Sequence, residues 1–189
     1  MRSPYIYRFI RHFITVTHHR MLVCEGCFKI GLYYQGLVHD LSKYSPTEFL
    51  VGVRYYQGTR SPNNAEREAQ GYSSAWLHHK GRNKHHYEYW IDYNTRGAQS
   101  GEDVLIPVDM PDKYLAEMVM DRIAASKVYE GKKYTNASAL RYFNSGIEVV
   151  PMHPNTKKKL KRYLSYLAKY GEEKTYALLR HDLKYGMKV

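Results

Sequence analysis

Between Trp76 and Trp90 the chain reads WLHHKGRNKHHYEYW, which places four histidines, His78, His79, His85 and His86, within fifteen residues. Upstream stand the pair His39-Asp40 and the adjacent His18 and His19; downstream stands Asp121. Imidazole nitrogens and carboxylate oxygens without a thiolate suit a divalent transition metal (Mn, Fe, Co, Ni or Zn) better than Ca or Mg. The donors suffice for one ion or two. Such an ion lowers the pKa of bound water and polarises a phosphoryl oxygen, and two ions clamp the attacking and leaving oxygens. The expected chemistry is metal-dependent hydrolysis of a phosphomonoester or phosphodiester, nucleotides included.

Each donor has a reading of its own. His19 shares a helical stripe with Leu22, Val23, Gly26 and Cys27, whereas His18 shares its side with Glu25, so His19 is the expected first ligand and His18 the alternative. Asp40 is expected to bind or bridge the metal and, with Lys43, to carry the catalysis. Lys43 follows Asp40 by three residues, where it could neutralise a phosphate, hold a water, or simply pair with Asp40 or Glu48. Adjacent histidines on a helix diverge, so one of each pair is expected to face inward. His79 is favoured in the first pair, and the choice between His85 and His86 stays open. His78, Lys80, Arg82 and Lys84, with Lys43, are expected to form an anion-binding rim. Asp121 lies beside Met118, Ile123 and Ala124, and a carboxylate near an apolar face needs a partner, which is a metal or a base such as Arg122 or Lys113. His181-Asp182 repeats the dipeptide, but no histidine cluster follows it.

The elements that must position these groups are nearly all helical. Tyr5–Thr15 and Thr17–Ile30 read as helices that could be continuous, ending at Gly31. A short helix after Gly36 should carry Leu37, His39, Asp40 and Lys43. Ser45-Pro46-Thr47-Glu48 reads as an N-cap, a first-turn proline and a capping-box glutamate, opening a helix to about Tyr56. Further helices are expected over Ala65–His79, His85–Ile91, Pro111–Tyr129 and Ala137–Phe143, with one or two basic helices across 155–183. Residues 94–111, with Gly97, Gly101, Pro107 and Pro111, read as a loop holding at most a short hairpin. The expectation is an all-α single domain over 1–189 with one irregular insertion.

The order of the donors, a histidine, then His-Asp, then several histidines, then a late Asp, resembles the HD superfamily. That superfamily is a helical bundle whose H…HD…D residues bind a metal and whose additional histidines bind a second. His39-Asp40-Leu41-Ser42-Lys43 is similar to the HD-x-x-K form of some of its phosphodiesterases. GLVHDLSKYSPTEF (36–49), GYSSAWLHHKGRNKHHYEYW (71–90) and MPDKYLAEMVMDRIAASKVY (110–129) resemble, more specifically, a bacterial and phage family described as an HD-like domain of unknown function. The resemblance spans about 16–165 and implies an HD-like bundle with a metal site formed by His19, His39, Asp40, His79, His85, His86 and Asp121. It implies no particular substrate. Some superfamily members hold a mixed-valence di-iron centre and oxidise a C–H bond, which is the alternative activity.

Composition narrows the partners. Hydrophobic residues make up 43% of the 189 and tyrosine alone contributes 20, which excludes a disordered chain. The sequence lacks the apolar run of about 20 residues that a bilayer span needs. Cys24 and Cys27 are the only two cysteines, which points to a reducing cytoplasm rather than a disulfide scaffold, and they read as plain buried thiols. A net charge of +11 favours an anionic small molecule or nucleotide as substrate and keeps nucleic acid among the partners. A basic nucleic-acid-binding domain with a structural metal is the non-enzymatic alternative. The run Lys157–Arg162 (KKKLKR) reads first as the solvated face of a helix.

Overall fold

The computed structural model describes residues 3–101, 103–146 and 150–188; position 102 of the expected insertion lies outside them. The fold is all-α. Its helices are α1 (Tyr5–Lys29), α2 (Tyr33–Val38), α3 (Pro46–Tyr55), α4 (Pro62–Gln70), α5 (Ser74–Lys80), α6 (Gly97–Ser100), α7 (Asp112–Glu130), α8 (Ser138–Asn144), α9 (Pro154–Tyr170) and α10 (Glu172–Tyr185). Two three-residue strands, β1 (Ile91–Tyr93) and β2 (Leu105–Pro107), pair antiparallel and close the irregular insertion as a hairpin.

Helix α7 is the axis of the fold. Leu115, Ala116, Met118, Val119, Met120, Ile123 and Ala124 are all buried, so apolar contact surrounds the helix rather than lining one stripe. α1, α8, α9 and α10 pack on it. The α1–α7 approach is close because Gly26 has no side chain; a Cβ there would lie 2.7 Å from Met120 Sδ. That approach brings the α1 histidine face against the carboxylates of α7. In α9, Leu160, Tyr163, Leu164 and Leu167 are buried, leaving Lys158 and Lys161 in solvent, while Lys159 pairs with Asp112 at 2.8 Å. The basic run is thus mostly the outer face of a packed helix.

One open point about local structure is decided, and three expectations are corrected. α1 is one continuous helix of 25 residues, long enough to carry both the exposed N-terminal half and His19. His39 and Asp40 are not on a helix: α2 stops at Val38, and Asp40 adopts φ 54°, the sole non-glycine left-handed residue among those described. Aspartate tolerates that conformation better than most residues, and such strain concentrates at functional positions. The expected helix over Ala65–His79 breaks at Gly71, whose φ of 85° caps α4 before Ser73 caps α5. Tyr87–Trp90 forms only a 3-10 turn, so the 85–91 helix is absent. Among the described residues no helix is long and apolar enough to cross a membrane.

Candidate metal centre

Five segments converge on the Asp40 carboxylate. His19 comes from α1, His39 and Asp40 from the turn after α2, His79 from α5, His85 and His86 from the turn after α5, and Asp121 from α7. Asp40 Oδ2 lies 3.3 Å from His39 Nε2 and 3.5 Å from His19 Nε2. Its Oδ1 lies 3.2 Å from His79 Nε2 and 3.4 Å from His85 Nε2. Asp121 Oδ1 stands 3.0 Å from His19 Nε2 and 3.7 Å from His39 Nε2, and His79 Nε2 stands 2.9 Å from His86 Nε2. These atoms fall into two four-residue groups that share Asp40: His19, His39, Asp40 and Asp121, and Asp40, His79, His85 and His86. Within each group the donor atoms lie within 4.8 Å of one another.

Most of these short distances are not hydrogen bonds. His19 Nε2, His39 Nε2, His85 Nε2 and both Asp40 oxygens are buried without a hydrogen-bond partner among the described residues, although Lys43 Nζ forms an ion pair with Asp40 Oδ2 at 2.7 Å. An unsatisfied buried polar atom costs roughly 1–3 kcal/mol. With Asp40 Oδ2 left to Lys43, the other four together rival the lower part of the roughly 5–15 kcal/mol stability of a whole domain. Converging, unpaired lone pairs of this kind fit a bound cation, and the buried His/Asp clusters could hold a metal ion.

A second ring of carboxylates sets the histidines. Glu117 Oε1 accepts from His39 Nδ1 at 2.8 Å and lies 3.1 Å from His85 Nδ1; Glu48 Oε2 accepts from His79 Nδ1 at 2.8 Å and its Oε1 from His78 Nδ1 at 2.6 Å. An Nδ1 proton held outward directs Nε2 inward as a lone-pair donor, the usual arrangement around a metal-ligating histidine. Asn83 braces the same loop by donating to Ser42 Oγ and to the His79 carbonyl, both at 2.8 Å.

Charge in the cluster is divided unevenly. Burial opposes ionisation of Asp40, but His39, Lys43 and His79 outweigh it and hold the carboxyl well below its usual range. Burial likewise opposes a charged His39 ring, yet Asp40, Asp121 and Glu117 hold its pKa well above the usual value. His86 moves the other way, pushed well down by burial and then by His85 and His79. Burial drives the Cys27 thiol up, as expected of an inert buried thiol.

A cavity of about 590 Å³ opens on this cluster, reached by His19, His79, His86 and Asp121. Its cationic lining is Lys43, Arg60, Arg67 and Arg122, with Tyr56 and Trp76 among the aromatics. Lys80, Arg82 and Lys84 do not line it. Arg82 instead donates to the His78 carbonyl, and Lys84 lies over the rings of Tyr89 and Tyr114. His78 is turned onto Glu48. The expected anion rim therefore gives way to a different set of bases, of which only Lys43 was anticipated.

The structure places His19 buried and His18 exposed. His79 alone of its pair enters the cluster, but both His85 and His86 do, because they sit in a turn where adjacent side chains need not diverge as on a helix. Glu48 and Glu117 are the functional residues that sequence reasoning did not assign. Glu48 reads as half of a capping box, and Ser45 does cap its backbone N–H at 3.4 Å, but its carboxylate serves the histidines. The signal for Glu117 was its place one turn before Asp121. His181-Asp182 lies apart from the cluster; Asp182 accepts from Tyr163 Oη at 2.6 Å.

Fold and site together define an all-α protein with a buried His/Asp cluster able to hold metal. A family model described as "Family of unknown function (DUF5662)" matches residues 8–166, most of the chain, and the protein belongs to that family. No curated protein and no solved structure matches the chain.

Proposed function

We propose that the protein is a metal-dependent phosphohydrolase acting on a phosphomonoester or phosphodiester, possible substrates including nucleotides. The observation that supports this most is the set of buried, unpaired nitrogen and oxygen atoms gathered around both oxygens of Asp40. His19, His39, Asp40 and Asp121 would hold one divalent ion, and Asp40, His79, His85 and His86 a second. A bound ion would supply Lewis acidity toward a phosphoryl oxygen and a lowered pKa for water.

The chain's own residues do the rest. Glu48 and Glu117 keep the Nδ1 protons outward. Lys43, held against Asp40 and partly exposed to the cavity, places a positive charge beside an incoming phosphate. Arg67 and Arg122, with Lys43, give the cavity wall cationic groups that could meet an anion, beside the acids Glu48, Glu88, Asp121 and Glu130. The order of the donors in the sequence also resembles the HD superfamily, and the same residues gather in one cluster.

The test is a phosphoester panel with metal-loaded protein, run beside Asp40→Asn. Hydrolysis of at least one ester that needs both metal and Asp40 supports the reading. A second reading is favoured by the nitrogen-rich double donor set sharing one carboxylate, which also suits a di-iron oxygenase. Iron retained at two per chain without phosphatase activity would select it.

A further inference from the structure

A second cavity of about 590 Å³ shares Tyr56 and Gly58 with the cavity over the His/Asp cluster, so the two adjoin. It lies between the first turns of α1 and the C-terminal end of α3, and α4 supplies Ala65, Glu68 and Ala69.

Its polar wall is cationic and aromatic. Arg8, Arg11 and Arg54 line it with Tyr7, Tyr55 and Tyr56. The one acid among its lining residues, Glu68, is already taken by Arg60, through Nη1 at 2.6 Å and Nη2 at 2.5 Å. The surrounding sequence adds no other acid. Nothing before Glu25 is acidic, Glu25 pairs with Lys29, and Asp40 and Glu48, the only acids from there to Gly58, are buried. Arg8 Nη1 donates to the Val53 and Arg54 carbonyls, covering the negative end of α3, and its Nε is buried without a partner among the described residues. Arg11 and Arg54 stand exposed in the cleft.

Guanidinium and ring recur together on both sides of Tyr56. Arg54 lies 5.6 Å from the Tyr55 ring in this cleft; in the adjoining cavity Arg67 lies 5.4 Å from Trp76 and Arg122 5.9 Å from Tyr142. A single phosphate cannot meet cations in both cavities. A chain of phosphates with flat groups between them can, because the charges take the phosphates while the rings stack on the bases. A duplex already stacks its bases on one another, so the ligand that uses these rings is single-stranded.

We propose that the cleft of Tyr7, Arg8, Arg11, Arg54 and Tyr55 binds single-stranded nucleic acid and leads it past Tyr56 to the His/Asp cluster. The inference deepens the phosphohydrolase reading, and rests on it for cleavage, by making the substrate a phosphodiester within a strand. The binding itself needs no metal.

Fluorescence anisotropy of a labelled single strand of about ten nucleotides, with the full chain in chelator, tests it. Binding should weaken with salt at a log–log slope of about −2, because each of three arginine–phosphate contacts contributes about 0.7. Arg11→Gln with Arg54→Gln should weaken it at least about tenfold and bring the slope to about −0.7, with the melting temperature unchanged because both side chains are exposed. Tyr55→Ala should cost about tenfold and Tyr55→Phe nothing. Lys158→Gln with Lys161→Gln, on the outer face of α9, should change neither quantity. No binding at low salt, binding indifferent to the arginine pair, or a duplex bound as tightly as the single strand would overturn the proposal. Metal-loaded protein is assayed in parallel on the oligonucleotide and on bis(p-nitrophenyl) phosphate. Arginine-dependent binding without cleavage of either ester supports the cleft and rejects the hydrolase reading; cleavage of the small diester without oligonucleotide binding rejects the cleft alone.

Discussion

Glu117 Oε1 lies 2.8 Å from His39 Nδ1, and the same carboxylate reaches His85 Nδ1 at 3.1 Å. One glutamate on α7 therefore orients a histidine from each of the two donor groups. Glu117→Gln keeps the volume and one acceptor oxygen but removes the negative charge behind both imidazoles. It should lower metal affinity about 10–100-fold, as loss of such outer partners does elsewhere. Competition against a chromogenic chelator measures this, and unchanged affinity would remove Glu117 from the site.

Asp40 separates backbone from ligand effects. Asparagine tolerates the left-handed φ of 54° and alanine does not, so metal-free Asp40→Ala should be less stable than Asp40→Asn by about 1 kcal/mol. Both should lose metal binding. Urea unfolding of the two variants in chelator tests the difference; equal stabilities would mean the turn does not strain alanine.

His12 gives a pH signature away from the cluster. Burial, and then the nearby charge of Lys43, push its pKa down to about 4 from 6.5, and its ring sits against Gly52 and Phe49. The folded state thus binds fewer protons than the unfolded chain between these values. Its contribution is intact above pH 6.5 and is lost as pH falls towards 4, amounting to about 3 kcal/mol if the full shift is realised. In His12→Gln that component disappears, so the pH dependence of unfolding should be shallower across this window. Parallel profiles would contradict the assignment.

Gly52 faces the same ring. A Cβ at Gly52 would collide with the His12 imidazole, so Gly52→Ala should cost about 1–3 kcal/mol. His12→Ala should relieve that clash, giving a clear coupling in a double-mutant cycle by thermal melting. Additive effects would show that the backbone, not His12, resists the methyl group.

How far the sequence revealed this protein can be judged residue by residue. The helix over Pro111–Tyr129 and the Ser45-Pro46 start were legible because helix-start prolines and caps are local signals, whereas the burial of α7 all round was not. His19 over His18 was legible from the inward stripe. The turn at His39-Asp40 was not, because nothing in a short polar segment marks one left-handed aspartate. His85 and His86 were judged as helix residues, and the absence of that helix is why both reach the cluster. Lys80, Arg82 and Lys84 were adjacent to the ligands in sequence, yet Arg60, Arg67 and Arg122 line the cavity. That substitution depends on how α4 and α7 pack, which no local pattern encodes.

The central claim is that the gathered lone pairs around Asp40 are a metal site. Elemental analysis of protein without a histidine tag, paired with melting before and after chelation, tests it directly. One to two transition-metal ions per chain, a melting temperature that falls on chelation, and loss of both in Asp40→Asn are expected. Protein that purifies without transition metal, and whose melting is indifferent to added Mn, Fe, Co, Ni or Zn, would contradict it.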